Sequence, residues 1–244
     1  MLYNCLMKNE IYSCQQKVLK ILSNKVNDFY LAGGTALSVF YFQHRVSADL
    51  DFFTRKFDRT KIMGIVKELS AELKKPIKML GQQLRKDMVK MATFSVKLDK
   101  RSFLKMDFVE DYLKIIKQPN NINGIFVMSL EDIYLRKISA IAGISQTTDI
   151  AGRRKSAGSR QEAKDFLDLY YLSHTFMGLA SFSGKYCDNV LRENLIRWFR
   201  TYDRMEIKTG LMDLKLKKKV DYRDMEKHFK REIDRMLEEE VKFL

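Results

Sequence analysis

The stretch "FYLAGGTALSVFYFQHRVSADLDFF" (residues 29–53) decides how this chain folds. A hydrophobic run from Phe29 to Ala32 breaks at Gly33-Gly34. A helix-length segment follows, and the chain returns through Asp49-Leu50-Asp51-Phe52-Phe53. Strands disfavour aspartate, yet two of them sit one residue apart beside Leu50 and the phenylalanine pair. Side chains alternate across a strand, so Asp49 and Asp51 share a face, about 6.6 Å apart at Cα, while Leu50 points to the other side. Two carboxylates side by side repel, and burying them is costly unless a cation or proton offsets the charge. Oxygen ligands of this kind suit Mg²⁺, which takes one or two carboxylates together with substrate phosphates.

The turn before this strand is the complement of the acids. Gly33-Gly34-Thr35 follows a strand and opens a helix, where free backbone N–H groups and the positive helix end attract anions. Glycine lets a phosphate approach the backbone closely. Phosphate at one end and Mg²⁺ at the other describe a site for a nucleoside triphosphate. A third acid stands downstream in "FLKMDFVED", where alternation places Asp107 on one face with Lys105, opposite Leu104, Met106 and Phe108.

Farther out, the spacing predicts a helix over 5–26, a strand at 29–32, a helix over 35–43, the aspartate strand at 49–53 and a helix over 58–74. Three strand-like runs follow, Ile77–Leu84, Lys90–Leu98 and Phe103–Val109. Pro119 with Asn120-Asn121 marks a loop. From Ser129 onward nearly everything reads as helix, interrupted by "SQTTDIAGRRKSAGSR" (145–160), a basic segment without apolar periodicity that reads as a mobile loop. In the last third, Val220, Met225, Phe229, Ile233, Met236 and Leu237 fall at helical intervals, the pattern of a solvated amphipathic helix. Lys215 and Lys217–Lys219 are basic groups available to RNA phosphates, and Trp198 reads as core.

At 244 residues, 45% hydrophobic and 11% aromatic, the chain can bury a substantial core, which excludes global disorder. Three cysteines, Cys5, Cys14 and Cys187, show no ligand spacing and fit free thiols in a reducing cytoplasm. No secretory signal and no 18-residue apolar run is present, so a cytoplasmic protein without membrane partners is expected. The net charge of +14 favours a polyanionic partner, nucleic acid above all.

The run from Gly33-Gly34-Thr35 through His44-Arg45, Ser47 and Asp49-Leu50-Asp51-Phe52-Phe53 resembles the first motif of the nucleotidyltransferase superfamily, and in particular the AbiEii toxin family of abortive-infection toxin–antitoxin pairs. "LEDIYLRKISAI" (130–141) resembles that family's lysine motif, here Lys137, and "KDFLDLYYL" (164–172) resembles its Lys-Asp-x-x-Asp motif, here Lys164, Asp165 and Asp168. The resemblance spans about residues 29–172. Thr35 stands where serine is usual, keeping the hydroxyl, and Glu162 replaces an arginine, with Arg160 nearby.

The residues speak to Lys137 independently. Leu130, Ile133, Tyr134, Ile138 and Ile141 make an apolar helical stripe that contains this lysine, so it either snorkels out or meets a buried anion. Lys164 and Asp168 are spaced as an i,i+4 surface ion pair with Asp165 on the same polar flank. Arg45 is a candidate partner for Asp49 or a phosphate.

The resulting expectation is an α/β (α+β) nucleotidyltransferase-like domain over 1–127 and a helical domain over 128–244, with a cleft between them. The resemblance implies that Asp49, Asp51 and Asp107 hold Mg²⁺ (or Mn²⁺), with Lys137 catalytic beside them. It places nucleotide contacts at Gly33, Gly34, Thr35, Ser47, Lys137, Lys164 and Asp165. The reaction implied is transfer of NMP from an NTP to RNA, tRNA above all because relatives add nucleotides to tRNA acceptor ends, with a cognate antitoxin as a further partner. The alternatives are a protein or small-molecule nucleotidyltransferase or kinase, and a catalytically silent nucleic-acid-binding module.

Overall fold

The structure, a computed structural model, describes the backbone of residues 2–99, 102–148, 154–157 and 159–242. It forms two compact units, one of Met1–Tyr41 with Ser47–Ser129, the other of Phe42–Val46 with Leu130–Leu244. The short segment 42–46 thus leaves the first unit between the glycine turn and the aspartate strand.

The first unit opens with helix α1 (Leu2–Leu22), which starts earlier and stops sooner than the expected 5–26. Strand β1 (Tyr30–Ala32) runs directly into helix α2 (Gly33–Ala36), continued by a π-helical turn (Leu37–Tyr41). Then come β2 (Asp49–Thr54), α3 (Arg59–Leu73), β3 (Ile77–Gln83), β4 (Met91–Lys97), β5 (Phe103–Glu110), β6 (Asn120–Ile122) and β7 (Ile125–Val127). The seven strands make one mixed sheet in the order β3-β4-β5-β2-β1-β7-β6. Strand β2 runs antiparallel to β1 but parallel to β5.

Alternation builds the core. Leu50 and Phe52 of β2, Leu104, Met106 and Phe108 of β5, and Phe94 and Val96 of β4 are fully buried. Helices α1 and α3 pack on the sheet with Val18, Leu19 and Leu22 of α1 and Ile62, Val66 and Leu69 of α3 buried at helical spacing. Asp58 caps α3 by accepting from the Lys61 N–H at 3.0 Å, and Lys74 ends the helix in the left-handed region at φ 51°.

Two expected loops are strands instead. Asn120-Asn121 lies in β6, paired with β7. The turn falls at Asn123-Gly124, whose φ values of 52° and 79° suit a tight hairpin in which both central residues need positive φ. The 145–160 segment contains an antiparallel ribbon, β8 (Ser145–Thr148) with β9 (Arg154–Ala157). Its polar sequence gives no apolar alternation by which to recognise a strand.

The second unit holds α4 (Leu130–Ala142), α5 (Ala163–Tyr171) continued by a π-helical turn (Leu172–Phe176), α6 (Leu179–Tyr186), α7 (Asn189–Thr201), α8 (Arg204–Asp213) and α9 (Tyr222–Lys242). Helix α4 packs against α5 and α7, and α9 against α6 and α7. Met225, Phe229, Ile233 and Met236 are the buried stripe of α9, and Trp198 is buried beside Phe166, Tyr202 and Phe229. Among the described residues, no helix is long and apolar enough to cross a membrane.

Candidate active site

The register of β2 against β5 assembles the acids. Asp49 lies opposite Lys105 and Asp51 opposite Asp107, so these four side chains occupy one face of two adjacent strands, about 4.8 Å apart across and 6.6 Å along. The other face of the same strands carries Leu50, Phe52, Met106 and Phe108 and belongs to the core. Thr93 and Ser95 of β4 flank Asp107 and Lys105 on the far side.

Three carboxylates this close need positive charge among them. Lys105 provides it, with Nζ 2.6 Å from Asp107 Oδ2. Burial alone would lower the Lys105 pKa, but the Asp107 pair and the neighbouring Asp49 and Asp51 charges outweigh it and hold the ammonium above its ordinary value. The other oxygen of Asp107, Oδ1, is buried with no hydrogen-bond partner.

Among the described residues, no group of three or more His, Cys, Asp or Glu side chains stands arranged as a finished metal cage. The face offers an all-oxygen donor set, one of whose buried oxygens is unsatisfied. That set fits Mg²⁺ or Mn²⁺ completing its shell with phosphate oxygens and water rather than with protein alone.

The glycine turn lies directly against these acids. Gly33 has φ +66°, and a Cβ built there would stand 2.5 Å from Asp51 Oδ2. Only glycine meets both demands, the left-handed backbone and the close approach. Thr35 is buried, and its hydroxyl bonds Ser47 Oγ at 2.8 Å and donates to the Asp49 carbonyl. Gln15 Nε2 donates to the carbonyls of Ser47 (2.9 Å) and Asp49 (3.3 Å). Thr35, Ser47 and Gln15 therefore fix where β2 begins and how Asp49 enters it.

The second unit contains a separate buried ion cluster. Lys137 of α4 is 6% exposed, and its Nζ lies 2.6 Å from Asp165 Oδ1 and 2.7 Å from Asp168 Oδ2. Arg45 grips Asp168 with two bonds, Nε to Oδ1 at 2.7 Å and Nη2 to Oδ2 at 2.8 Å. His44 Nε2 reaches the same Oδ1 at 2.7 Å. Arg160 Nε lies 2.5 Å from Asp165 Oδ2.

Burial opposes charge on His44, Lys137, Asp165 and Asp168, yet the carboxylates outweigh it at Lys137 and raise its pKa. Lys137 and Arg160 lower that of Asp165, and Lys137 and Arg45 hold Asp168 well below the usual carboxylate range. At His44 burial wins over the Asp168 bond and lowers the imidazole pKa. The main chain of 44–46 is anchored within the same unit, Val46 N–H donating to Lys215 C=O (2.9 Å) and Lys217 N–H to His44 C=O (2.9 Å).

Several expectations change here. Asp165 and Asp168 are fully buried, not on a polar flank, and Asp168 does not pair with Lys164. Lys164 is exposed and bonds Glu162 at 2.7 Å. Arg45 pairs with Asp168 rather than Asp49, because 42–46 folds with the second unit. Lys137 does not snorkel; it meets protein carboxylates. Arg153 lies outside the described residues, and the backbone of Arg154 and Lys155 is in β9. Sequence reasoning gave no role to Lys105, and it read Asp168 as a motif residue in a surface pair with Lys164 rather than as the buried partner of Lys137 and Arg45. For Lys105 the signal was its shared face with Asp107.

Comparison with known proteins adds an independent line. Residues 18–243 match the family described as nucleotidyl transferase AbiEii toxin, type IV TA system. An uncharacterized protein of Aquifex aeolicus (strain VF5), aq_aa25, is 34% identical over 171 residues, which cover 68% of this chain and 66% of that protein. The chain thus matches just under two thirds of that relative's length.

Two crystal structures from Helicobacter pylori share the fold. A proposed nucleotidyltransferase has a TM-score of 0.55 at 18% identity, over 94% of this chain and 96% of that one. JHP933 has a TM-score of 0.53 at 18% identity, over 93% and 94%.

Proposed function

Because the chain belongs to the AbiEii family of nucleotidyl transferase toxins, we propose that it transfers NMP from an NTP to an RNA acceptor, tRNA above all, with a divalent cation on the Asp49–Asp51–Asp107 face. The observation that carries this reading is the alignment of Asp51 with Asp107 across β2 and β5, with Gly33 pressed against the Asp51 carboxylate.

Asp49, Asp51 and Asp107 would hold Mg²⁺ or Mn²⁺. When bound, such an ion supplies positive charge to the triphosphate and the departing pyrophosphate. The backbone N–H groups of Gly33 and Gly34 are the groups that would meet phosphate oxygens, with no Cβ in the way. Asp107 would also take the acceptor's hydroxyl proton, through a carboxylate oxygen that does not hold the cation. The acceptor oxygen attacks the α-phosphorus, the bond to the pyrophosphate oxygen breaks, and RNA extended by one nucleotide and pyrophosphate result.

Thr35 and Ser47 serve by holding β2 in place. Lys137, Lys164 and Asp165 enter this reading differently. The Lys137 ammonium already has two carboxylate partners, so contact with a nucleotide would fall to its third N–H donor or replace one of them. The net charge of +14 supports a nucleic-acid acceptor, and the family's toxin–antitoxin assignment supports a cognate antitoxin.

The test is incubation with total RNA and each NTP in turn, labelled on the α- or the γ-phosphate, with Mg²⁺ or with EDTA. The reading requires α-label, and no γ-label, in an RNase-sensitive product that EDTA abolishes. Incorporation of γ-label identifies a kinase, and a protease-sensitive product identifies a protein acceptor.

A further inference from the structure

We propose that Lys105 is a built-in counter-cation that occupies the carboxylate face of the nucleotide-free protein and is displaced when a divalent cation enters. This rests on the reading of Asp49, Asp51 and Asp107 as the ligand set. The geometry makes Lys105 the fourth corner of the acid square, opposite Asp49 in register and bonded to Asp107 Oδ2 at 2.6 Å. One ammonium among three carboxylates partly neutralises them and takes one oxygen of Asp107, while the other stays unsatisfied. An ammonium and a divalent cation cannot share that space, because at such distances and reduced dielectric their repulsion is large.

The lysine has room to leave. Its side chain is 37% exposed against 10% for Asp107, and its flexible four-carbon stem lets the ammonium swing away while β5 stays fixed. The consequence is ordered loading. The free protein binds divalent cations weakly, and the nucleotide's phosphates, which bring their own charge, draw metal in and lysine out. That order would keep the site from holding metal without substrate.

The test measures Mn²⁺ binding by the loss of the free-ion electron paramagnetic resonance signal, with and without a non-hydrolysable α,β-methylene NTP, each against a protein-free control that subtracts the Mn²⁺ chelated by the nucleotide itself. It uses the wild-type chain, Lys105→Met, Lys105→Gln and Lys105→Arg, with far-ultraviolet circular dichroism as the folding control. Without nucleotide, Lys105→Met and Lys105→Gln should bind Mn²⁺ about 10-fold or more tighter than wild type, and Lys105→Arg should not, since only the charge matters.

If the wild-type chain binds Mn²⁺ with nucleotide but the neutral variants show no gain without it, the counter-cation role is wrong and the metal reading survives. If wild type binds no Mn²⁺ even with nucleotide, the metal reading itself fails and takes this inference with it.

Discussion

Replacing Lys137 by methionine removes one positive charge from a dry cluster and keeps most of the aliphatic volume. The ammonium has two carboxylate partners at 2.6 and 2.7 Å, both fully buried. Removing one partner of a buried ion pair costs about 3–5 kcal/mol, because the remaining charge is left uncompensated. Here compensation is partial, since Arg45 keeps two bonds to Asp168 and Arg160 stays beside Asp165.

The low end, about 3 kcal/mol, is therefore expected, and for a chain of this size it lowers Tm by roughly 6–12 °C. The pH dependence carries a signature. Asp165 and Asp168 have lowered pKa values in the folded chain, so their contribution is present above about pH 4 and fades as pH falls through the folded values. The variant has already lost part of it, so the gap between the two melting curves should narrow as pH falls below about 4.

Adding Asp165→Asn to Lys137→Met should recover part of the loss. Thermal melts followed by circular dichroism at pH 7 and at about pH 3 measure all of this. A Lys137→Met Tm within about 1 °C of wild type at pH 7 would refute the cluster as a stabilising unit. Nucleotide affinity on the same variant decides whether the lysine also meets phosphate; a charged hydrogen bond to it is worth about 1.5–3 kcal/mol, or 10-fold and more in Kd.

Gly33→Ala should cost about 1–2 kcal/mol from the left-handed backbone alone. By pushing the Asp51 carboxylate it should also cut transfer by about 10-fold or more, so melts and initial rates must fall together. His44 has a lowered pKa in the folded chain, so its contribution is full above about pH 6.5 and is lost as pH falls through its folded value, at up to about 1.4 kcal/mol per pH unit. His44→Gln should flatten that part of the Tm–pH curve. RNA affinity should fall by about 50-fold between 50 and 200 mM salt if four phosphates of a single strand are contacted; a filter-binding titration showing no salt dependence would point away from nucleic acid.

The sequence made the acid face legible because alternation is a local rule: Asp49, Asp51 and Asp107 each declare their side of a strand by their neighbours. Gly33 was legible for the same reason, a turn between strand and helix. Pairing was not legible. That β5 lies parallel beside β2, placing Asp107 level with Asp51 and Lys105 level with Asp49, is a long-range choice on which local pattern is silent.

The Arg45–Asp168 pair spans 123 positions and leaves no trace at i,i+4, where Lys164 offered a false partner for Asp168. Burial misled in the same helix. Asp165 and Asp168 read as a polar flank because carboxylates are rarely buried unless paired, and their partners come from α4 and from residues 44–45. The 120–127 hairpin was missed by reading Pro119-Asn120-Asn121 as punctuation when the stronger signal was Asn123-Gly124.

Asp51 tests the central claim most directly, since it stands beside both Gly33 and Asp107. Asp51→Asn keeps the shape of the side chain and removes its charge, so the variant should melt near wild type. With α-labelled NTP and RNA it should transfer no detectable label, at any Mg²⁺ concentration that supports the wild-type chain. Wild-type transfer by folded Asp51→Asn would contradict the account, because no carboxylate face that includes Asp51 would then be carrying out the reaction.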